Sequence, residues 1–457
     1  MIATINPATG ETIKTFEAAD PSEVTSRIAR AHDRWLSYRT TSFEQRATWL
    51  RAAADLLDAE VDDVGRLMTT EMGKTLASAK AEVGKCAKGM RYYAEHSESL
   101  LADEPADAGA VGAVQAYATY QPLGVVLAVM PWNFPLWQVV RFAAPALMAG
   151  NVGLLKHASN VPQTALYLED VLRRAGFPED CFQTLLISSG QVEAVLRDPR
   201  VAAATLTGSE PAGRSVAAIC GDEVKHTVLE LGGSDPFVVM PSADLDKAAQ
   251  VAVTARVQNN GQSCIAAKRF IVHTDVYDAF AEKFVARMKA LKVGDPFDSA
   301  TDVGPLATEQ GRVDVEKLVE EAVGKGATVL CGGSRADGPG WYYPPTVIAD
   351  ITEDMPLYRE EVFGPVASLY RVADIEEAIA VANDSPFGLG SNAWTSDPDE
   401  QKRFVNDLEA GQVFINGMTI SYPELPFGGV KRSGYGRELS GHGIREFCNL
   451  KTVWVGA

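Results

Sequence analysis

Asn259-Asn260-Gly261-Gln262-Ser263-Cys264 is the stretch from which the organisation of this chain can be worked out. A helical pattern precedes it over residues 244–258, and a strand pattern follows it over residues 269–273. Reactive side chains are often carried by loops that rigid elements hold in place. Cys264 would react as a thiolate, and the ordinary thiol pKa of about 8.5 means that neighbouring groups must favour the anion or accept its proton. Taken alone, a cysteine is more often an inert core residue, so a nucleophilic role depends on the rest of the chain.

The composition bounds the class of protein. A chain of 457 residues is too long for a single core, so two or three domains are expected. The formal net charge of −18 argues against nucleic acid or an anionic membrane as the main partner. We find no signal peptide and no apolar run long enough to span a bilayer. The six cysteines form no CxxC pair and the six histidines form no ligand-like cluster, which predicts a cytoplasmic protein without a metal site.

The N-terminal part has the pattern of helices. Ser22 can cap a helix that ends near Tyr38, and Ser42 begins a capping box for the next one. One amphipathic run then extends from Val61 to about Leu101. This region is therefore expected to be helical before any sheet begins.

Short apolar strands alternate with helical patterns in the rest of the chain. The expected strands of the first set are 124–130, 152–155, 204–207, 227–231 and 236–240. A second alternating set begins at Leu245, and the composition changes most sharply at Gly232-Gly233-Ser234. This alternation predicts an α/β fold built on a doubly wound parallel sheet, with a domain junction at these glycines.

Two polar side chains at predicted strand ends suit acyl chemistry. Pro131-Trp132-Asn133-Phe134-Pro135 follows the strand at 124–130, where ligands bind in open α/β sheets, and the Asn133 amide could donate to a developing oxyanion. Glu230 ends an apolar strand, and a partly buried glutamate with a raised pKa is a candidate general base. Each residue by itself fits a structural role better, as a turn asparagine or an ordinary strand-end glutamate.

Other residues suit a dinucleotide. Lys156 follows the strand at 152–155 and could pair with a phosphate or with ribose hydroxyls, although a solvated loop lysine is an equal alternative. Ser159 leaves room for a 2′-phosphate, which a carboxylate would repel. Gly208 and Gly213 lie in a strand-to-helix turn whose free N–H groups suit a pyrophosphate, but their GxxxxG spacing differs from the usual dinucleotide fingerprint.

The acidic turn Glu360-Glu361-Val362-Phe363-Gly364-Pro365 completes this group. Glu361 could accept a hydrogen bond from a ribose, and Phe363 could pack against a nicotinamide ring. A charged turn with a core phenylalanine is the plainer interpretation of the same residues.

The motifs PWNFP, LTGS, ELGG, GQSC, EEVFGP and PFGG occur in this order, and 34 residues separate Glu230 from Cys264. In both respects the chain resembles the aldehyde dehydrogenase superfamily over nearly its whole length. The resemblance implies a Rossmann-type cofactor domain, an α/β catalytic domain and a small β oligomerisation arm. The corresponding ranges are 1–101 and 123–232 for the NAD(P)-binding domain, 233–430 for the catalytic domain, and 102–122 and 431–457 for the oligomerisation elements.

The resemblance also implies roles residue by residue. Cys264 resembles the nucleophile, Glu230 the general base and Asn133 the oxyanion donor. The positions that match cofactor contacts are Trp132, Lys156, Ser159, Gly208, Ser209, Glu230, Leu231, Glu361 and Phe363. The implied reaction oxidises an aldehyde to an acid through a thiohemiacetal and a thioester on Cys264, with a nicotinamide as hydride acceptor and water as the final acyl acceptor.

Within the family, the chain is most similar to short bacterial succinate-semialdehyde dehydrogenases. Arg141 and Ser421 match positions that hold a distal carboxylate there, and Phe427 is a further expected substrate contact. A structural ion pair on its helix is the alternative role of Arg141. Gln258 stands where many of these enzymes carry a second arginine. Ser159 replaces a frequent glutamate of the family, which favours NADP over NAD while leaving NAD possible. The resemblance further implies a homodimer or homotetramer.

The leading hypothesis is therefore NADP-dependent oxidation of succinate semialdehyde to succinate. A broad-specificity aliphatic or hydroxy-aldehyde dehydrogenase is the alternative within the same chemistry. A catalytically idle binding protein on this fold and an enzyme that passes its acyl group to coenzyme A also remain open. Aldehyde-dependent NADPH formation would exclude the idle protein, and acyl-CoA formation would favour the last alternative.

Overall fold

The computed structural model describes residues 1–457, and its N-terminal part consists of a hairpin followed by four helices. The elements are β1 (Ile2–Ile5), β2 (Thr12–Phe16), α1 (Pro21–Tyr38), α2 (Phe43–Ala59), α3 (Val61–Met72) and α4 (Leu76–Leu100). Ser42 and Gln45 form the predicted capping box at the start of α2. Asp20 rather than Ser22 caps α1, because Pro21 occupies the first helical position, where its missing N–H has no consequence.

The predicted amphipathic run from residue 61 to residue 101 is two helices rather than one. Gly73 ends α3 in the left-handed conformation with a φ of 79°, and α4 begins after Thr75. A Cβ at position 73 would lie 2.8 Å from the Pro305 carbonyl oxygen, so only glycine fits there. The break is therefore set by contact with a distant segment, which the hydrophobic period does not encode.

A six-stranded sheet forms the first α/β layer. The elements of this part of the chain are β3 (Glu104–Pro105), β4 (Gln115–Pro122), β5 (Val125–Met130), α5 (Trp137–Ala149), β6 (Val152–His157), α6 (Pro162–Arg174), β7 (Phe182–Thr184), α7 (Val192–Arg197), β8 (Val201–Thr207), α8 (Glu210–Asp222) and β9 (His226–Glu230). The order β9-β8-β5-β6-β7 is parallel throughout. Helices cover both faces, so β5 and β6 are buried almost along their whole length. The predicted parallel sheet is confirmed.

A seven-stranded sheet forms the second α/β layer. Its region contains β10 (Asp235–Val239), α9 (Leu245–Val257), β11 (Ala267–His273), α10 (Thr274–Ala290), α11 (Glu309–Gly324), β12 (Thr328–Cys331), β13 (Thr346–Ala349), α12 (Pro356–Arg359), β14 (Val366–Val372), α13 (Ile375–Asn383), β15 (Phe387–Gly388), β16 (Asn392–Trp394), α14 (Pro398–Asp407) and β17 (Phe414–Ile415). The strand order is β12-β13-β14-β11-β10-β16-β17, and only β12 is antiparallel to its neighbour. Separate apolar clusters pack on its two faces.

The C-terminal residues return to the first half of the molecule. They form β18 (Val430–Lys431), β19 (Gly434–Tyr435), α15 (Ser440–Arg445) and β20 (Cys448–Val455). β19 adds an antiparallel edge to the six-stranded sheet beside β9, and β20 pairs along the full length of β4 in a separate three-stranded sheet. The domain boundaries drawn from the sequence stay a prediction. None of the helices combines the length and the hydropathy that crossing a bilayer requires.

Candidate active site

Cys264 lies in a loop that bends sharply after α9. Asn259, Asn260 and Gly261 all adopt left-handed conformations, with φ values of 55°, 57° and 77°. Asparagine tolerates this region better than most residues because its short side chain can bond locally. Gly261 is required for packing as well, since a Cβ there would lie 2.4 Å from the carbonyl carbon of Gly364. The loop therefore follows a path that few other sequences could take.

The Asn260 side chain ties this loop to two other segments. Its amide nitrogen donates to the carbonyl oxygens of Gly73 and Pro305 at 2.9 and 3.0 Å, and its oxygen accepts from the Gly304 N–H at 2.9 Å. Three of its four hydrogen-bonding positions are thus used inside the protein. Sequence analysis did not single out this residue, although two asparagines before a glycine are a signal of left-handed backbone.

Asn133 is buried and meets the cysteine loop through its amide. Its Nδ2 donates to the Gln262 carbonyl oxygen at 3.0 Å, which uses one of its two N–H groups. The Asn259 amide donates in turn to the Asn133 carbonyl oxygen at 2.7 Å and to the Gln262 carbonyl oxygen at 3.0 Å. The turn at 131–135 and the loop before Cys264 are therefore held together, with one N–H of Asn133 left free.

Lys268 clamps the residues on either side of the sulfur. Its ammonium donates to the carbonyl oxygens of Ser263, Cys264 and Ala266 at 2.8, 3.0 and 3.2 Å. It also lies 3.2 Å from a carboxylate oxygen of Glu361, and its side chain is 1% exposed. Burial lowers the pKa of Lys268, while the negative charge of Glu361 acts in the opposite direction. This residue, which sequence analysis missed, connects the cysteine loop to a predicted cofactor contact.

The surroundings favour the protonated forms of Cys264 and Glu230. Burial raises the pKa of Cys264 to about 12, although the nearby Arg141 charge lowers it and the Glu230 charge raises it further. Glu230 is 2% exposed, and neither of its carboxylate oxygens has a hydrogen-bond partner. Burial, followed by the charge of Glu438, raises the pKa of Glu230 well above its ordinary value. A glutamate with this proton affinity is a stronger base than an ordinary carboxylate once it is ionised.

Arg141, the predicted carboxylate-binding residue, already has a partner. Its guanidinium forms a buried ion pair with Glu438 and lies over the Phe427 ring at 4.5 Å. It also donates to the Thr207 hydroxyl at 3.3 Å. Its charge is thus compensated by Glu438, which sequence analysis did not single out. A direct contact between Arg141 and a substrate carboxylate stays a prediction.

Ser421, also predicted as a substrate contact, lies in a cluster with a lysine of α4. Its hydroxyl oxygen accepts from the Lys85 ammonium at 2.6 Å and from the Trp137 indole N–H at 2.9 Å. Lys85 lines a cavity of about 410 Å³ together with Phe134 and the predicted substrate residue Gln258. Lys85 was missed by sequence analysis because it looks like one more charged residue on an amphipathic helix.

A second cavity, of about 290 Å³, brings Cys264 and Asn133 together with predicted cofactor residues. The predicted cofactor contacts that line it are Trp132, Gly208, Ser209, Leu231, Glu361 and Phe363. The rings of Trp132 and Phe363 lie edge to face, with 5.7 Å between their centroids. A dinucleotide held by these residues would share one cavity with Cys264.

Four features of this region suit a dinucleotide that carries phosphates. Ser209 is the N-cap of α8 but makes no side-chain capping bond, so N–H groups of the first turn remain available to an anion. Gly232 allows the Glu361 carboxylate to lie close to the backbone, since a Cβ at position 232 would be 2.4 Å from a Glu361 carboxylate oxygen. Lys156 is 9% exposed, and burial lowers its pKa. Ser159, beyond the end of β6, is partly exposed and brings no negative charge to this region.

Comparisons with known proteins identify relatives over nearly the whole chain. A family model described as the aldehyde dehydrogenase family matches residues 1–453. A protein of Mycolicibacterium paratuberculosis named succinate-semialdehyde dehydrogenase [NADP(+)] is 75% identical over 457 residues, which cover 100% of this chain and 97% of that protein. A Mycobacterium tuberculosis protein, succinate-semialdehyde dehydrogenase [NADP(+)] 1, is 74% identical and covers 99% of each chain. A crystal structure of the Streptococcus pyogenes succinic semialdehyde dehydrogenase in complex with NADP+ superposes with a TM-score of 0.97, at 40% identity and 100% coverage of both chains.

Proposed function

Because the chain belongs to the aldehyde dehydrogenase family, we propose that it oxidises succinate semialdehyde to succinate with NADP as the hydride acceptor. Relatives that share 74–75% identity over nearly the whole chain carry the name of this activity. The observation that best supports the reaction class is the cavity shared by Cys264, Asn133 and the predicted cofactor residues. It brings the proposed nucleophile, the proposed amide donor and predicted cofactor contacts to one place.

In the proposed first step, the Cys264 sulfur adds to the aldehyde carbon, a C–S bond forms and the carbonyl oxygen becomes negative. The Asn133 N–H that is not engaged with Gln262 can donate to this oxygen. The backbone N–H of Cys264 makes no hydrogen bond within the protein and supplies a second donor. Because burial favours the protonated thiol, the thiol first releases its proton to water, and the thiolate formed in this way adds to the carbonyl carbon.

NADP, when bound, supplies the acceptor for the hydride that leaves the former aldehyde carbon. The residues that would hold it are the uncapped N-terminus of α8 at Ser209, the buried Lys156 and the Glu361 carboxylate beside Gly232. Ser159 carries a hydroxyl where a carboxylate would repel a 2′-phosphate, which supports NADP over NAD. These assignments remain proposals that mutagenesis can test.

The last proposed step releases the acid. Glu230 accepts a proton from water, the water oxygen attacks the thioester carbon, and the C–S bond to Cys264 breaks. The raised pKa of Glu230 suits this role, because the base must bind a proton strongly near neutral pH. The Lys268 clamp keeps the cysteine backbone in place while the sulfur forms and breaks its bonds.

We also propose a cytoplasmic homodimer or homotetramer with the domain division drawn from the sequence. All six cysteines are free, which fits a reducing compartment. Leu450 and Trp454 on β20 are each 55% exposed in the single chain, and large apolar side chains of this kind are typical of surfaces that another subunit covers. Sedimentation at several protein concentrations would measure the state of association.

The broad-specificity alternative draws support from one observation, the internal pairing of Arg141 with Glu438. The decisive experiment is a substrate panel run with both cofactors. We expect kcat/KM to be highest for succinate semialdehyde with NADP, and the Cys264→Ala variant to be inactive. Equal kcat/KM for succinate semialdehyde and butanal, which has a methyl group in place of the carboxylate, would overturn the proposed substrate.

A further inference from the structure

We propose that Lys85, on α4, binds the distal carboxylate of the substrate and is the specificity-determining residue for an aldehyde that carries an acid. The inference rests on the proposed function and deepens it by naming the cation that recognises the substrate. Lys85, Ser421 and Trp137 form one side-chain cluster. The charge of this cluster, its unused hydrogen-bond donors and its position support the inference.

Lys85 is the only cation that lines the larger cavity, and its charge is not compensated. It has no carboxylate within ion-pair distance, although its side chain is largely enclosed. Other buried cations nearby already have acidic partners: Arg141 with Glu438, Lys268 with Glu361, and Lys74 with Glu82. Arg256 is fully enclosed and lines neither cavity. A substrate carboxylate in the larger cavity would therefore find an unpaired positive charge only at Lys85.

The cluster also has hydrogen-bond donors to spare. The Lys85 ammonium makes one hydrogen bond, to Ser421, and keeps two further N–H groups. The Ser421 oxygen already accepts from Lys85 and from the Trp137 indole, so its own O–H remains available to donate. The ammonium additionally lies 4.5 Å from the centre of the Trp137 ring, which supports the cation but does not neutralise it. A carboxylate, which only accepts, is the group that satisfies this set of donors.

The cluster lies close to the turn that carries Asn133. Lys85 and Phe134 line the larger cavity, whereas the preceding residue, Asn133, lines the cavity that contains Cys264. The two cavities thus lie on either side of the same turn, and the charge of Cys264 is among those that act on Lys85. Gln258, which stands where many related enzymes carry a second arginine, lines the same cavity as Lys85. Lys85 on α4 can therefore supply the positive charge that Gln258 lacks.

The ionisation of Lys85 offers a measurement that needs no substitution. Burial, followed by the Arg141 charge, lowers the pKa of Lys85 to about 8, while Cys86, Glu82 and Cys264 act in the opposite direction. A lysine loses its charge as the pH rises through its pKa. The ratio of kcat/KM for succinate semialdehyde to kcat/KM for butanal should therefore fall above about pH 8 in the unmodified protein. The ionisation of Cys264 affects both substrates and cancels in this ratio.

The direct test compares Lys85→Met with Lys85→Arg and with Lys88→Met, a control that removes an exposed charge from the same helix. For Lys85→Met, we expect kcat/KM to fall about 30-fold or more with succinate semialdehyde, mainly through KM, and to change less than about threefold with butanal. Lys85→Arg should keep the preference and lose its pH dependence, because arginine stays charged. Lys88→Met should leave both substrates unaffected.

Equal losses for both substrates in Lys85→Met would overturn the inference, since a structural role alone affects them together. A preference for succinate semialdehyde that survives in Lys85→Met, or that does not change with pH in the unmodified protein, would overturn it as well. In these cases the proposed function stands, because the unmodified protein still prefers the acidic aldehyde. An unmodified protein without that preference would overturn the proposed substrate and this inference together.

Discussion

Replacing Lys268 with methionine tests whether one buried ammonium holds the cysteine loop. Methionine keeps the length and the apolar stem of the side chain but removes its charge. The change deprives the carbonyl oxygens of Ser263, Cys264 and Ala266 of a donor and leaves the Glu361 carboxylate without the cation 3.2 Å away. The variant should therefore be less stable and should hold the sulfur less firmly.

The expected loss has two parts with different pH dependence. Removing one partner of a buried ion pair costs about 3–5 kcal/mol, because the remaining charge is uncompensated. Burial already raises the pKa of Glu361 and Lys268 lowers it, so the variant should raise that pKa further. The charge penalty is therefore absent at low pH, where Glu361 is protonated, and appears as the pH rises through its folded pKa. At low pH, only the unpaired carbonyl oxygens should contribute, at about 1–3 kcal/mol.

Urea denaturation at two pH values measures both parts. The unmodified protein, Lys268→Met, Glu361→Gln and the double variant would be compared at one protein concentration, because association also affects apparent stability. We expect the double variant to recover much of the loss at alkaline pH. Lys283→Met is the matched control, since Lys283 pairs with Asp246 at the surface and exposed ion pairs contribute little.

Two outcomes would refute this reasoning. If Lys268→Met unfolds at the same urea concentration as the unmodified protein, the clamp does not stabilise the loop. If the effects of the two single substitutions add to within about 0.5 kcal/mol in the double variant, Lys268 and Glu361 do not act on each other.

Three further predictions concern cofactor choice, stability and reactivity. Ser159→Glu should lower kcat/KM with NADP relative to NAD by about tenfold or more, because a carboxylate repels the 2′-phosphate. Kinetics at equal low cofactor concentrations measure this ratio. An unmodified protein that prefers NAD would contradict the premise. Arg141→Ala should lower the free energy of unfolding by about 3–5 kcal/mol, because it leaves Glu438 buried without its partner. Unchanged urea unfolding together with a selective loss of succinate semialdehyde oxidation would instead indicate that Arg141 contacts the substrate directly. The rate of iodoacetamide labelling of Cys264 should rise about tenfold per pH unit between neutral and mildly alkaline pH, because the thiolate is rare below the thiol pKa. Mass spectrometry of the Cys264 peptide measures this rate. A rate that does not change with pH would mean that the thiolate is already formed.

The sequence by itself was sufficient for the α/β class, the parallel sheet and the residues of the proposed chemistry. Strand and helix periods are local properties, and parallel strands place their carboxyl ends at one edge of the sheet. The sequence alone therefore predicts that Asn133 lies near a ligand site. Local capping chemistry likewise predicted the start of α2 at Ser42. The break at Gly73 was not predicted, because it depends on contact with Pro305.

Only the tertiary structure decided which charges are paired and which are free. Arg141 was expected to face a substrate carboxylate but lies against Glu438, and Lys85, which carries no motif, lies against Ser421, 336 residues away in the chain. The strength of an interaction between charges depends on their separation and on the water between them. Both quantities are set by the packing of helices and loops from distant parts of the chain, and no local pattern of residues encodes them.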